Sequence, residues 1–249
     1  MYLNELFIFL DSNDDPESGK LKENENYGEL FAIQTPVKNH YSKADIDIIC
    51  GIYSNSTLKF NVLCEPARRL YIYSQDAFSD FVHAWMSEFP IQAEIVRFGR
   101  KVLAAGKLSC QAAYRASIDR GDPDIRIVLE ASYKVWHEID RLRGLLRFSP
   151  DKEGIYTAWC APDHFVLPAL KEHFSGRFGR TPWAIIDEKR DIFISSKAVK
   201  SPAPVKKKWD EWEELWRNYH KTINNESRNN PALQRQFMPR RYCKYLTEL

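Results

Sequence analysis

Apolar and polar positions alternate differently along the chain, and the changes in period divide it. Leu6 to Leu10 is a short apolar run of strand-like character, followed by a polar loop over residues 11–26. Leu58, Phe60, Val62 and Cys64 alternate with polar or small neighbours, the period of a half-buried strand. Leu70 to Tyr73 is a second β-prone run. Helical periodicity then takes over. Phe78, Phe81, Val82 and Trp85 fall on one face of a helix that Asp76 can cap. Pro90 opens another helix carrying Ile91, Ile95, Phe98 and Val102, closed by Gly106. Asp122 and Pro123 supply an N-cap and first turn. The helix they start aligns Ile125, Val128, Leu129, Ser132, Val135, Trp136, Ile139 and Leu142.

The period shortens after Gly144. Residues 155–161 read as a buried strand, and Pro162 with Asp163 breaks it. A helix follows over 164–178, with Val166, Leu167, Leu170, Phe174 and Phe178 inward and Pro168 in its first turn. Residues 183–187 and 191–196 flank a short polar connection, a hairpin pattern. The result is a β-α-β-β unit. A Pro-containing linker leads to a helix with Trp209, Trp212, Trp216, Tyr219 and Ile223 on one stripe, read as core or interface packing. A shorter helix is expected over 231–237. The predicted class is α+β, mainly helical, with the C-terminal β-α-β-β unit beside a Trp-rich helix. The predicted regions are a mixed segment over 1–66, a helical one over 67–143 and a C-terminal domain over 144–249.

Composition adds bounds rather than a function. Two hundred and forty-nine residues, 44% of them hydrophobic, suffice for a core without disulfides. The cysteines at 50, 64, 110, 160 and 243 are scattered, with no zinc or iron–sulfur spacing, as expected of reduced thiols in a cytoplasmic protein. No run of about 20 apolar residues exists to span a membrane, and Met1 to Leu10 lacks a basic n-region, so neither membrane nor export is expected. No metal site and no cofactor in this chain are expected, since glycine-rich phosphate loops and paired metal-ligand motifs are absent.

The net charge of +2 conceals an uneven distribution. Eight acidic residues lie between Glu5 and Glu29, and five basic ones, without an acid, between Arg228 and Lys244. That tail holds Arg228, Gln234, Arg235, Arg240, Arg241, Tyr242 and Lys244. Guanidinium forks bind phosphate bidentately and aromatic rings stack on unpaired bases, so the tail suits single-stranded or distorted DNA. The alternative is that these arginines fix the tail to an acidic surface of the fold.

Five ordered motifs carry a resemblance over about residues 141–248. They are Gly144, Arg147 and Phe148; then Pro162, Asp163 and His164 with His173, Phe174, Arg177 and Phe178; then Trp183, Asp187 and Arg190; then Leu215, Trp216 and Tyr219; and last Arg228, Asn230, Pro231, Leu233, Gln234 and Arg235 with Met238, Pro239, Arg241 and Tyr242. In this the chain resembles the DNA-metabolism proteins encoded beside radical-SAM enzymes, a domain also found fused to some uracil-DNA glycosylases. The resemblance implies an accessory role in DNA repair or modification, with DNA and a radical-SAM protein as partners and the radical cofactor held by that partner.

The same motifs gather a polar set. His164, His173 and Asp187 are candidate acid–base groups, with Arg147, Asp163, Arg177 and Arg190 as pocket residues. The set is either an active or phosphate-binding pocket or a buried network holding the β-α-β-β unit, and His164 taken alone is read as a loop cap before a catalytic group. An enzyme of the hydrolase or glycosylase kind and a pure protein-interaction module both stay open. Convergence of His164, His173, Arg177 and Asp187 on an open cleft favours the enzyme; burial and pairing disfavour it.

Overall fold

In a computed structural model the described residues are 2–11, 41–54, 63–151, 153–196, 211–223, 225, 230, 232–233, 238, 240–243 and 245. The protein is α+β and mainly helical, with one four-stranded sheet among the described residues. The acidic segment after Asp11 and the strand expected before Cys64 lie outside the described residues, Leu63 and Cys64 excepted.

Contacts divide the chain into two compact units. The first comprises Met1–Ile139 with Asp163–Ala169, and the second Asp140–Pro162 with Leu170–Leu249. The first unit is helical: α1 (Leu3–Ile8), α2 (Lys43–Tyr53), α3 (Glu65–Tyr73), α4 (Gln75–Met86), α5 (Gln92–Gly106) and α6 (Cys110–Ser117), joined by most of α7 (Pro123–Leu145). Two expectations of strand are corrected here. Leu6–Leu10 falls on α1 and the turn after it, because Leu3, Leu6, Phe7 and Leu10 repeat at helical spacing and are all buried. Leu70–Tyr73 closes α3, whose start at Glu65 and Pro66 combines an acidic first turn with a proline that needs no donor.

The cap of α4 is Ser74, whose hydroxyl accepts from Ala77 N at 3.2 Å, rather than Asp76. Asp122 caps α7 as expected, its carboxylate accepting from Asp124 N at 2.9 Å. Ile125, Val128, Ser132, Val135, Ile139 and Leu142 are buried along α7, whereas Trp136 at the edge of the stripe is half exposed. Gly106 ends α5 against the Tyr73 ring, and a Cβ there would overlap it.

The second unit is built on a sheet of order β1 (Ser149–Pro150), β2 (Tyr156–Cys160), β3 (Trp183–Asp187) and β4 (Ile192–Ser195). β2 and β3 are parallel, and the outer pairings are antiparallel. A parallel pair requires a crossover. It is supplied by a 3₁₀ turn (Leu167–Leu170) and α8 (Lys171–Phe178), so Pro168 sits in the 3₁₀ turn that precedes the α-helix. Gly179 follows at positive φ and closes α8. Phe174 and Trp183 are buried on this layer.

The Trp-rich helix is α9 (Glu211–Ile223), followed by the short α10 (Arg240–Cys243). Its described stripe is not core. Leu215, Trp216, Tyr219 and Ile223 are 59%, 47%, 52% and 56% exposed. An aligned apolar face supplies the means of burial but no partner for it, and Trp216 instead lines a cleft. Trp209 lies outside the described residues, as does most of the 231–237 helix.

Candidate functional site

The polar set is divided between the two units. Asp163 and His164 belong to the first unit. There the Glu138 carboxylate accepts from Asp163 N at 2.9 Å and from His164 N at 2.8 Å. His164 Nδ1 accepts from Glu88 N at 3.3 Å, and its ring meets the edge of Phe89 at 5.2 Å. His164 is buried, and its contacts fix a loop. Glu138 was missed from sequence. Its signal is position: it lies between Val135 and Leu142 on an otherwise apolar face of α7, where a carboxylate needs buried donors.

Asp187 and Arg190 form a second, separate constellation in the other unit. Asp187 ends β3 and is fully buried. Its carboxylate accepts from Arg190 Nη1 at 2.7 Å and from Lys189 N at 2.9 Å. Arg190 Nη1 also donates to the Pro162 carbonyl at 3.2 Å. Burial pushes the Asp187 carboxyl above the usual carboxylate range, and the Arg190 guanidinium pulls it back. This is a hairpin brace whose hydrogen bonds are directed inward.

Arg147 and Arg177 are the members of the set that do come together. They line an open cleft of about 570 Å³ in the second unit. Leu146 and Phe148 reach it from the segment after α7, Tyr156 from β2, Phe178 from the end of α8 and Trp216 from α9. The aromatic wall is self-supporting. Phe178 meets Phe148 at 4.7 Å and Tyr156 at 5.6 Å between ring centroids, and Phe174 and Trp183 back it. Trp216 is braced by Tyr219 at 5.6 Å. Both arginines are exposed, and Arg147 Nη1 donates to the Gly144 carbonyl at 3.0 Å. Among the described residues the lining holds two guanidinium groups, four aromatic rings, one leucine and no carboxylate.

His173 lies one helical turn before Arg177 on α8 and is exposed. Partial burial, then the positive charges of Arg143 and Arg177, hold its imidazole below the usual histidine range. That charge environment differs from the one around Asp187, which is governed by Arg190.

Of the tail, Arg228, Gln234, Arg235 and Lys244 lie outside the described residues, while Arg240 and Arg241 begin α10. Tyr242 is 2% exposed, so its ring is core rather than a surface for stacking. Tyr245 donates its hydroxyl proton to Glu188 Oε2 at 2.6 Å, and burial and that carboxylate raise its pKa. Both residues belong to the second unit. Among the described residues, no group of three His, Cys, Asp or Glu side chains is placed to hold a metal ion, and no helix is long and apolar enough to cross a membrane.

The arginines, the aromatic cleft and the buried brace all fall within one recurring domain. Residues 97–248 match the profile of DUF4130, a domain of unknown function, and the chain belongs to that family. The matched region begins within α5, upstream of the motifs that carry the resemblance in sequence. No curated protein and no solved structure matches the chain.

Proposed function

We propose that this protein is a DNA-associated accessory factor that binds nucleic acid and acts with a radical-SAM enzyme in DNA repair or modification. The observation that carries the binding half is the cleft where Arg147 and Arg177 meet four aromatic rings. Guanidinium groups supply charge-assisted bonds to phosphate, and aromatic faces supply sequence-tolerant stacking. The five motifs of residues 141–248 support the partnership half by resemblance. In this scheme the partner's cofactor performs the radical chemistry, and this chain presents the strand. By sequence, Arg228, Gln234, Arg235, Arg240, Arg241 and Lys244 of the acid-free tail are the further candidates for phosphate contact.

A hydrolase or glycosylase using His164, His173 and Asp187 is the weaker reading. His164 caps a loop in one unit and Asp187 braces a hairpin in the other, so neither is presented to a substrate. The test is a titration of single-stranded DNA against the full chain, with and without the proposed radical-SAM partner. Each phosphate neutralised on a single strand contributes about −0.7 to the slope of log affinity against log salt. Arg240→Ala with Arg241→Ala makes the slope shallower by roughly 1.4 if both meet phosphate. Absence of DNA binding under every salt condition, with or without the partner, overturns the proposal.

A further inference from the structure

The cleft defines a narrower ligand than nucleic acid in general. Resting on the reading just given, we infer that it takes one unstacked nucleotide, with the phosphate held by Arg147 and Arg177 and the base stacked on the aromatic lining that includes Trp216. Three observations lead there. The first is shape. About 570 Å³ is the scale of a small-molecule pocket, about 300–1,000 Å³, and it is a concavity. A protein that reads a duplex inserts a protruding helix or ribbon into a groove.

The second is the order of the walls. Phe148, Tyr156 and Phe178 form one cluster fixed from behind by Phe174 and Trp183, while Trp216 arrives from a different helix. A base inside a duplex has both faces covered by its neighbours, so only an extruded or single-stranded base can use such rings.

The third is charge. Among the described residues the lining holds two guanidiniums and no carboxylate, a composition that favours an anion. Burial first, and then the positive charges of Arg143 and Arg177, lower the pKa of His173, so part of that shift reflects a positive field one turn from Arg177. A phosphate answers that field, whereas a neutral nucleoside does not.

The experiment is calorimetry on the full chain with a deoxynucleoside 5′-monophosphate, the matching nucleoside, inorganic phosphate, and single-stranded and duplex oligonucleotides. The nucleotide is expected to bind and to displace the single strand. Loss of the phosphate weakens binding about tenfold or more, as does Arg147→Ala or Arg177→Ala. Trp216→Ala weakens it by roughly five- to a hundredfold, and Trp216→Phe, which keeps a ring, retains most of the affinity. Thermal unfolding of each variant guards against a folding defect, and the exposed arginine variants carry the test should Trp216→Ala misfold.

The outcomes separate the two readings. If single-stranded DNA binds through Arg147 and Arg177 but the mononucleotide neither binds nor competes, the one-nucleotide site is overturned and the nucleic-acid reading stands. If the mononucleotide binds at the cleft and no oligonucleotide does, the site stands and the nucleic-acid reading falls. Inorganic phosphate binding as tightly as the nucleotide reduces the cleft to an anion site and overturns the inference. So does duplex binding as tight as single-strand binding through the same two arginines. No binding of any probe overturns both.

Discussion

Two arginine sites within the second unit have opposite characters. Arg190 has a side chain 7% exposed and an Asp187 partner that is fully buried, and it is bonded to that carboxylate and to the Pro162 carbonyl. Arg147 and Arg177 are exposed and stand beside aromatic rings in a concavity. Burying a charge is tolerable only when it is paired and hydrogen-bonded, so the first site is committed to holding the hairpin. The second leaves both side chains exposed, with Arg147 bonded to the Gly144 carbonyl, so that an incoming anion can reach them. Motif membership did not distinguish them. Arg147, Arg177 and Arg190 all fall in the same resemblance, and only burial and partners separate a brace from a binding site.

The largest effect expected tests the brace. Asp187→Ala leaves the Arg190 guanidinium buried without its carboxylate, a loss of about 3–5 kcal/mol. It is read as a lower midpoint of denaturant unfolding, with no change in ligand affinity of the folded fraction. Replacing both residues together by apolar side chains of similar volume recovers most of that loss. A stable Asp187→Ala protein that has lost ligand binding would move Asp187 from the brace into the site. The pH sign is definite. Burial raises the folded Asp187 pKa. Stability from this group is therefore complete below the unfolded carboxylate value and declines as pH rises through the folded one.

The complementary change is Arg177→Ala. A charged hydrogen bond to phosphate is worth about 1.5–3 kcal/mol, so nucleotide affinity falls by that amount. Stability stays within about 0.5 kcal/mol, as for an exposed substitution. The pair of measurements breaks the comparison if Arg177→Ala unfolds the protein and leaves binding intact.

A smaller stability effect, about 1–3 kcal/mol, is expected for Glu138→Ala, which strands the peptide N–H groups of Asp163 and His164. Hydrogen exchange at those two amides is the direct check. Unchanged protection there would remove the loop-fixing role from Glu138.

Much of the second unit was legible in sequence because its signals are local. The strands at 156–160, 183–187 and 192–195 are bounded by Gly154, Pro162, Pro182 and the polar connection before Asp191. The errors lie where an apolar run is too short to define a period. Leu6–Leu10 and Leu70–Tyr73 contain no internal evidence against a strand, and the deciding residues, Leu3 and Pro66, stand outside them. Candidate residues were legible as chemistry but not as geometry. The β2–β3 parallel pairing is a non-local event, and Phe178 reaches Tyr156 across that crossover. His164 and Tyr242 were legible only in part for a related reason. Residue type told what each could do, while burial is set by distant contacts such as Glu88 and Glu138 for His164.

The smallest expected effect is also the sharpest probe of the exposed site, because His173 reports on Arg177 without lining the cleft. Partial burial is the first cause of its lowered pKa, and Arg143 and Arg177 add repulsion. An NMR titration of the imidazole should therefore give a midpoint below that of a free histidine, about 6.5. Arg177→Ala removes one repulsive charge and moves the midpoint partway up, leaving the contributions of burial and Arg143. A phosphate docked on Arg177 does the same by neutralising the charge, and a nucleoside lacking phosphate does not. Protonating His173 costs the folded state more than the unfolded chain. Its stability contribution is thus present above the unfolded value and lost as pH falls through the folded one. Because His173 is exposed, that loss is small, and the midpoint is the better observable. A midpoint raised by nucleotide, unmoved by nucleoside and already raised in Arg177→Ala assigns the phosphate to Arg177. A midpoint indifferent to nucleotide at saturation places the phosphate elsewhere, and the brace and the cleft then differ in exposure alone.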